Sequence, residues 1–510
     1  MRIPLYPRQF FASYEASHEF EDWKRFVFCD LHVCTHPLLE TTAAQSCDGQ
    51  QHGLLLGTIL DPYNPSATNE DILRRLLESS SCINHLCEQL YYVGGRFLIF
   101  FADRQDVYLI GDACGLRTAC YTADDPLVLA SQPLLIKHHR PLREATYFES
   151  YLRSSYVANN KEHWLPVGAS LFEDLFALRP NHYLRLSDLK QTRFWPRESY
   201  TAHAGIDAIH ECGWLLQRLI IAASQRFSLA LPITAGLDSR VLLAAARSLS
   251  ADLFCYTLAY RGLTEASPDI AIPRKLMHEL RLPHHVIDCG NQAPLSFQET
   301  YARNTFPAHV NDWAHIAYGL LLSYPHDRVC IKGNCSEIAR CFYYPYGRPP
   351  SSVTETFLAS LEHGWQRHDF IMSVLQSWLA NSTQNFREAE LHPLDMFYWE
   401  HRMGSWQAQS QLEWDVAQET ISPFNQRQLL HYMLMTPRSE RCAPYYRLYK
   451  AIINDLWPQT GLQPINPTGL ANTWANAARA TLNTIGVDWH IKALYRSVRS
   501  KCVSDYVAPR

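Results

Sequence analysis

The stretch "LALPITAGLDSRVLLAAARS" runs from Leu229 to Ser248. A short apolar run ends at Ile233, and Thr234, Ala235, Gly236 and Leu237 follow it. Asp238 and Ser239 then open an alanine-rich segment with helical spacing. An unbroken apolar run of this length reads as a strand buried on both faces, feeding a helix from about residue 238. The start of a helix carries unpaired N–H groups and the positive end of the helix dipole, which suits an anion such as phosphate. The small residues let an anion approach the backbone, and Gly236 can take a positive φ. Asp238 cannot favour a phosphate directly; its expected use is a Mg²⁺ ion bridging phosphate oxygens. Ser239 adds a hydroxyl donor. The GxxxxGK[ST] pattern and its Lys are absent, so this is not a Walker-type loop. The competing reading is an ordinary strand–helix turn with an Asp/Ser cap, and the stretch alone does not decide between them.

Around this stretch the chain changes character. Before residue 200 it reads as strands and turns: 52–61, 95–112 (two strands about a polar turn), 125–132 and the hairpin 182–195. The segment 70–81 has helical spacing, with Asn69 as its expected cap. "FVFCDLHVC" reads as a strand interior carrying Cys29 and Cys34. Helical periodicity begins at 201–224 and strands then alternate with helices: 253–260 is a strand, 270–280 a helix and 284–289 a strand. That alternation predicts a parallel α/β sheet. Most of 297–500 reads as helical. The fold expected is therefore a β-rich N-terminal domain, 1–200, followed by an α/β domain, 205–500, with a parallel sheet and a helical C-terminal part.

Composition sets outer limits. The 510 residues are 47% hydrophobic and 19% charged, enough to bury a large core. The net charge of −4 gives no electrostatic footprint for nucleic acid, and none is expected as a partner. No run approaches the roughly 18 apolar residues of a membrane span, and the start does not read as a signal peptide. The expected location is cytoplasmic, with no membrane partner. The 15 cysteines include no CxxC, so they read as small buried hydrophobes in a reducing compartment.

Several segments, in order, resemble one family. TAGLDSR at 234–240 is similar to the pyrophosphatase-loop signature SGGxDS of the asparagine synthetase and β-lactam synthetase superfamily. "FALRPNHYLRLSDLKQTRFW" resembles that family's interdomain segment, and "YVGGRFLIFFADRQDVYLIGDACGLRTACYT" its N-terminal hairpin. "LASQPLLIKH", "SPDIAIPRKLMHELRLPHHVI" and "SPFNQRQLLHYMLMTP" are similar to further family segments, and "VCIKGNCSEIARCFY" stands where the family has SGEGADELFGGY. The resemblance implies an Ntn-hydrolase-like, glutaminase-like domain ahead of an ATP-pyrophosphatase synthetase domain. It implies ATP and Mg²⁺ as cofactors, with Asp238 and Glu337 as metal ligands. Thr234, Ala235, Gly236, Leu237, Ser239 and Asp269 become nucleotide-binding positions, with His285 near the same pocket. Arg240 and Lys332 become cations stabilising the phosphates. Arg340 is open to two readings: a phosphate cation, or an i,i+3 partner of Glu337 on a helix face.

Three departures modify that expectation. Arg2 stands where glutamine-hydrolysing members carry their nucleophilic Cys, so the N-terminal domain is expected to keep the fold without the glutaminase activity. Glu337, one methylene longer, replaces the family's metal-binding Asp. The family's late R-x-K-x-x-F Lys has no counterpart between Trp457 and Ala471, leaving Arg441, Arg447 and Lys450 as upstream substitutes. The expected function is an ATP-dependent carbon–nitrogen ligase of the asparagine synthetase type. It would adenylate a substrate carboxylate, release AMP and pyrophosphate, and form an amide without hydrolysing glutamine. The carboxylate and the amine donor are unspecified, and a second copy or a biosynthetic partner protein is a candidate partner. The rivals are an amidotransferase of surface-polysaccharide or peptide natural-product assembly, and a catalytically degraded binding protein of the same fold.

Overall fold

The computed structural model describes residues 4–16, 20–196, 207–309 and 311–467. Arg2, the expected boundary near residue 200 and residues 468–500 lie outside that set.

Before residue 197 the chain forms twelve described strands. They are β1 (Phe10–Ser13), β2 (Lys24–Phe28), β3 (Leu31–Thr35), β4 (Thr41–Gln45), β5 (His52–Leu60) and β6 (Gly94–Ala102). The other six are β7 (Val107–Gly111), β8 (Cys120–Thr122), β9 (Val128–Ala130), β10 (Leu175–Ala177), β11 (His182–Arg185) and β12 (Gln191–Arg193). They make two antiparallel sheets, ordered β10-β8-β9-β1-β3-β2 and β12-β11-β7-β6-β5-β4. The sheets stack face to face. Phe10, Val33 and Leu129 of the first share a core with Leu56, Leu98, Phe100 and Leu109 of the second. The alternate residues of the second sheet, among them Leu55, Phe97 and Ile99, face a helix at Asn69–Glu78 through Leu73 and Leu76.

Two local expectations are corrected. The helix at Asn69–Glu78 is capped by Thr68 in a capping box with Asp71, not by Asn69. The Asn69 side chain instead turns inward, donating to the Gly57 carbonyl at 2.8 Å and accepting from the Ile59 N–H at 3.1 Å. "FVFCDLHVC" is a hairpin and not one strand: Cys29 and Asp30 form the β2–β3 turn with φ of 47° and 68°. Cys29 is consequently exposed, whereas Cys34 is buried in β3.

The second unit is built on five parallel strands: β13 (Ser228–Pro232), β14 (Phe254–Ala259), β15 (His285–Asp288), β16 (Arg328–Ile331) and β17 (Thr420–Ile421). Their order is β15-β14-β13-β16-β17. The first strand in sequence thus lies at the centre, and the order reverses between β13 and β16. In an open α/β sheet such a reversal sends the two following loops to opposite faces and opens a crevice at the strands' carboxyl ends. Helices cover the sheet, including Ala208–Ser224, Leu237–Ala245, Pro268–Glu279 and Arg447–Leu456. No helix among the described residues is long and apolar enough to cross a membrane.

Buried polar contacts lock the two units together. Arg96 of β6 makes a bidentate pair with Asp415 at 2.7 and 2.8 Å, both side chains essentially inaccessible. Asn425 donates to the Gly95 carbonyl at 2.6 Å and to Asp112 at 2.9 Å. Trp399 donates to the Ala113 carbonyl at 2.8 Å. Glu400 pairs with Arg193 and accepts from the Trp378 indole at 2.8 Å.

Candidate active site at the mouth of the parallel sheet

At the carboxyl ends of the neighbouring strands β13 and β16, the loop at 233–236 meets the turn after β16. Strand β13 ends at Pro232, and the helix begins at Leu237 with Gly236 as its N-cap. No side chain caps this helix. The backbone N–H groups of Leu237, Asp238 and Ser239 therefore open the helix without a capping side chain.

Gly236 has φ −75° and ψ 164°, an extended conformation that makes no use of the positive φ open to glycine. Its small size has another reason: a Cβ there would meet the Thr234 Oγ1 at 2.9 Å. The loop is braced from within. Gly236 N–H donates to Thr234 Oγ1 at 3.0 Å, Thr234 N–H to Ser239 Oγ at 3.2 Å, and Ala235 N–H to Asp269 Oδ1 at 3.2 Å. Asp269 thus holds the loop from the first turn of the neighbouring helix. Leu237 lends the mouth only its backbone, since its side chain is buried in the core.

The turn after β16 brings the second carboxylate. Gly333 packs directly on Asp238, and Cys335 takes a left-handed conformation (φ 75°) that swings the chain into a short helix at Ser336–Ala339. Ser336 Oγ donates to Asp238, across 98 positions of sequence. Arg340 spans both acids, 3.2 Å from Asp238 and 3.3 Å from Glu337. Arg340 thus pairs with Glu337 at i,i+3, as one of its two readings has it, and with Asp238 of the loop as well.

Electrostatics follow from this geometry. Burial pushes the Glu337 carboxyl up to about 7, with the Asp238 charge adding to the rise and Arg340 opposing it. Burial alone would lower the Arg340 guanidinium, but Asp238 and Glu337 outweigh it and hold it firmly charged. Glu337 Oε2 is buried without a hydrogen-bond partner. An orphaned carboxylate oxygen beside a second carboxylate fits a small hard cation, and Mg²⁺ needs only one or two carboxylates plus phosphate oxygens. Among the described residues no three His, Cys, Asp or Glu side chains converge as a metal site.

Other expected residues lie elsewhere. Arg240 is wholly buried and points away from the mouth, donating to the carbonyls of Thr460 at 2.9 Å, Gln463 at 3.2 Å and Pro464 at 3.4 Å. It is a strut for the C-terminal segment, not a phosphate cation, and its partners were 220 or more positions away in sequence. Lys332 sits at the end of β16 with its ammonium 4.8 Å from the Trp414 ring, and burial lowers its pKa. Trp414 and the nearby Asp415 draw it toward the domain interface. His285 stacks on Phe254 at 4.4 Å at the amino end of β15, the wrong end of its strand for the crevice. Arg441 donates to the Ala339 carbonyl at 3.0 Å and to Asp395 at 3.3 Å, and Arg447 pairs with Glu440 at 3.1 Å. Lys450 is exposed on its helix.

Two residues that the sequence reading passed over matter here. Ser336 ties the turn to Asp238, and Tyr449 OH donates to the Ser336 carbonyl at 2.7 Å. A Gly and a Ser flanking the Glu after an apolar strand were the available signal. Compared with known proteins, the chain matches no family model and no curated sequence.

Proposed function

We propose that this protein is an ATP-dependent ligase that adenylates a carboxylate substrate for amide formation, on an asparagine synthetase-like fold whose N-terminal domain is Ntn-hydrolase-like. The single observation that carries this reading is the meeting of Asp238 and Glu337 at the switch point of the parallel sheet, beside a helix mouth with no side-chain cap.

The substrate carboxylate attacks the α-phosphorus of ATP. The bond from that phosphorus to the bridging oxygen breaks, and pyrophosphate leaves. The N–H groups of Leu237, Asp238 and Ser239 face the departing charge, as helix N-termini do for phosphates. Thr234, exposed at the loop's tip, supplies a hydroxyl donor. Arg340 supplies the cation that Arg240 and Lys332 do not. Asp238 and Glu337 would hold Mg²⁺, which when bound neutralises phosphate charge. An amine, unspecified in chemistry, then takes the acyl group and AMP departs.

Arg340 also supports a second reading. It already compensates both acids, as an internal cation would in a binding protein that had lost its metal. Nucleotide chromatography on a reaction with Mg·ATP and a pool of cell carboxylates separates the two. AMP and pyrophosphate are expected. ADP without AMP overturns adenylation, and ATP binding that ignores Mg²⁺ favours the degraded protein.

A further inference from the structure

Away from the sheet mouth, the two units enclose a cleft of about 140 Å³. Leu165, Leu171, Phe172 and Phe176 line it from the N-terminal side, and Phe306 and Leu412 from the other. Its wall is mostly apolar, and Phe172 and Phe306 lie 5.4 Å apart, ring to ring. Polar side chains in the lining are largely spent on the protein itself. Thr118 donates to the Ser131 carbonyl at 2.7 Å, Gln132 donates to the Arg303 carbonyl at 3.1 Å, and Ser170 accepts from the Phe172 N–H at 3.0 Å. Gln409 differs. It lines the cleft, only 8% of it is exposed, and its Nε2 amide is buried with no partner. A buried donor without an acceptor is costly, which makes it a place where an acceptor from outside is welcome. A second orphaned donor, Arg179 Nε, stands behind the same wall: Arg179 Nη2 would lie 2.9 Å from a Cβ at Gly168, which lines the cleft.

We propose that this interdomain cleft is a binding site for a small molecule with a ring-sized apolar body and an oxygen acceptor, anchored by the Gln409 amide. A dry cavity of about 150 Å³ accommodates benzene, so a six-membered ring fits the volume. Apolar walls with a few convergent polar groups are the usual make-up of a small-molecule site. The Gln409 amide, turning out of the wall where its Nε2 is now buried, donates to the acceptor, and the guanidinium behind Gly168 favours a carboxylate over a neutral carbonyl. Phe176, 42% exposed at the sheet edge, marks the entrance. None of these residues belongs to the sheet mouth, so the site stands apart from the ligase reading.

The test uses the full chain without nucleotide and ligand-observed NMR with benzoate, benzamide and benzylamine. Benzoate and benzamide are expected to bind, benzoate more tightly, and benzylamine, which offers no oxygen, to bind at least tenfold more weakly. Gln409→Leu should weaken benzoate and benzamide about tenfold, the worth of one hydrogen bond to a buried donor. Ala177→Trp, made on the opposite wall at the edge strand β10, should fill the cleft and abolish binding of all three without lowering the melting temperature. Should Gln409→Leu fail to fold, Ala177→Trp decides alone. No binding of benzoate or benzamide at millimolar concentration, or binding that survives Ala177→Trp, overturns the proposal.

Discussion

Gly333 lies so close to Asp238 that a Cβ added at residue 333 would stand 2.5 Å from the Asp238 Cβ. The two loops that build the mouth of the sheet are thus packed back to back, and one of them can carry no side chain at the contact. Gly333→Ala is expected to cost about 1–3 kcal/mol of stability, as overpacking does, and to push Asp238 out of line with Glu337. Thermal melting and nucleotide titration on the same sample check both effects. A variant that melts and binds like the parent removes the contact's importance.

Asp238→Asn keeps the side chain's shape and removes its charge. Arg340 is then left with Glu337 alone, and the pair of acids that suits Mg²⁺ is halved. A loss of about 2–4 kcal/mol of transition-state stabilisation is expected, the scale of removing one electrostatic contact. Pyrophosphate release, measured with and without Mg²⁺, reads it out. Unchanged rates in the variant argue against the metal role.

Glu400 makes the domain junction acid-sensitive. Burial raises its carboxyl, but the Arg193 charge and hydrogen bonds from Arg193 and the Trp378 indole outweigh burial and bring it down to about 2. Because the folded value lies below the ordinary value near 4.5, its contribution is complete above about pH 4.5 and fades as the pH falls toward 2. The amount at stake is on the order of 3 kcal/mol. Melting curves across that acid range should show a steeper loss in the parent than in Glu400→Gln, and parallel curves would contradict the assignment.

The Arg96–Asp415 pair is sealed from water, so removing Arg96 leaves the buried Asp415 with only the more distant Arg117, at 3.9 Å. Arg96→Met is expected to destabilise the protein by about 3–5 kcal/mol, and a combined Arg96→Met, Asp415→Leu change by much less. Urea unfolding of both variants tests this. Equal losses would mean that the methionine's packing, and not the abandoned charge, is responsible.

On the proposed reading no glutamate is expected from glutamine: Arg2 stands where the glutamine-hydrolysing enzymes that the sequence resembles carry a Cys. Of the described cysteines, Cys29 and Cys47 are exposed, and both thiols are held protonated. Burial and Asp30 raise the first, and a hydrogen bond to Glu78 raises the second. Glutamate above a no-enzyme control, blocked by a thiol alkylator, is the contrary result.

What sequence could tell divides along the range of the interactions. Strands β5, β6, β13, β14 and β15 follow local periodicity and stand within a few residues of their expected places. Asp238, Ser239 and Glu337 fall together because strand–helix alternation decides which loops share an edge. Arg240 failed as a phosphate ligand since its carbonyl partners come from 460–464, far beyond any local pattern. Lys332 failed for a similar reason: Trp414, its ring partner, lies on a separate helix. Gly236 was read through backbone freedom, while the real constraint is the space taken by the Thr234 hydroxyl. Asn69 gave up the cap to Thr68 because a β-strand carbonyl and N–H stood opposite its amide.

The strut formed by Arg240 has a consequence for how the protein is made. The segment it holds also reaches the loop directly, through the Asn466 N–H on the Ala235 carbonyl at 2.8 Å. On the ribosome, the loop leaves the exit tunnel more than two hundred residues before the segment that braces it. A nascent chain can complete both N-terminal sheets and all five parallel strands and still lack the contacts that brace the loop at 234–236. On the proposed reading nucleotide binding therefore arrives late in synthesis, and a ribosome stalled before residue 460 would display a folded chain whose loop is still unbraced.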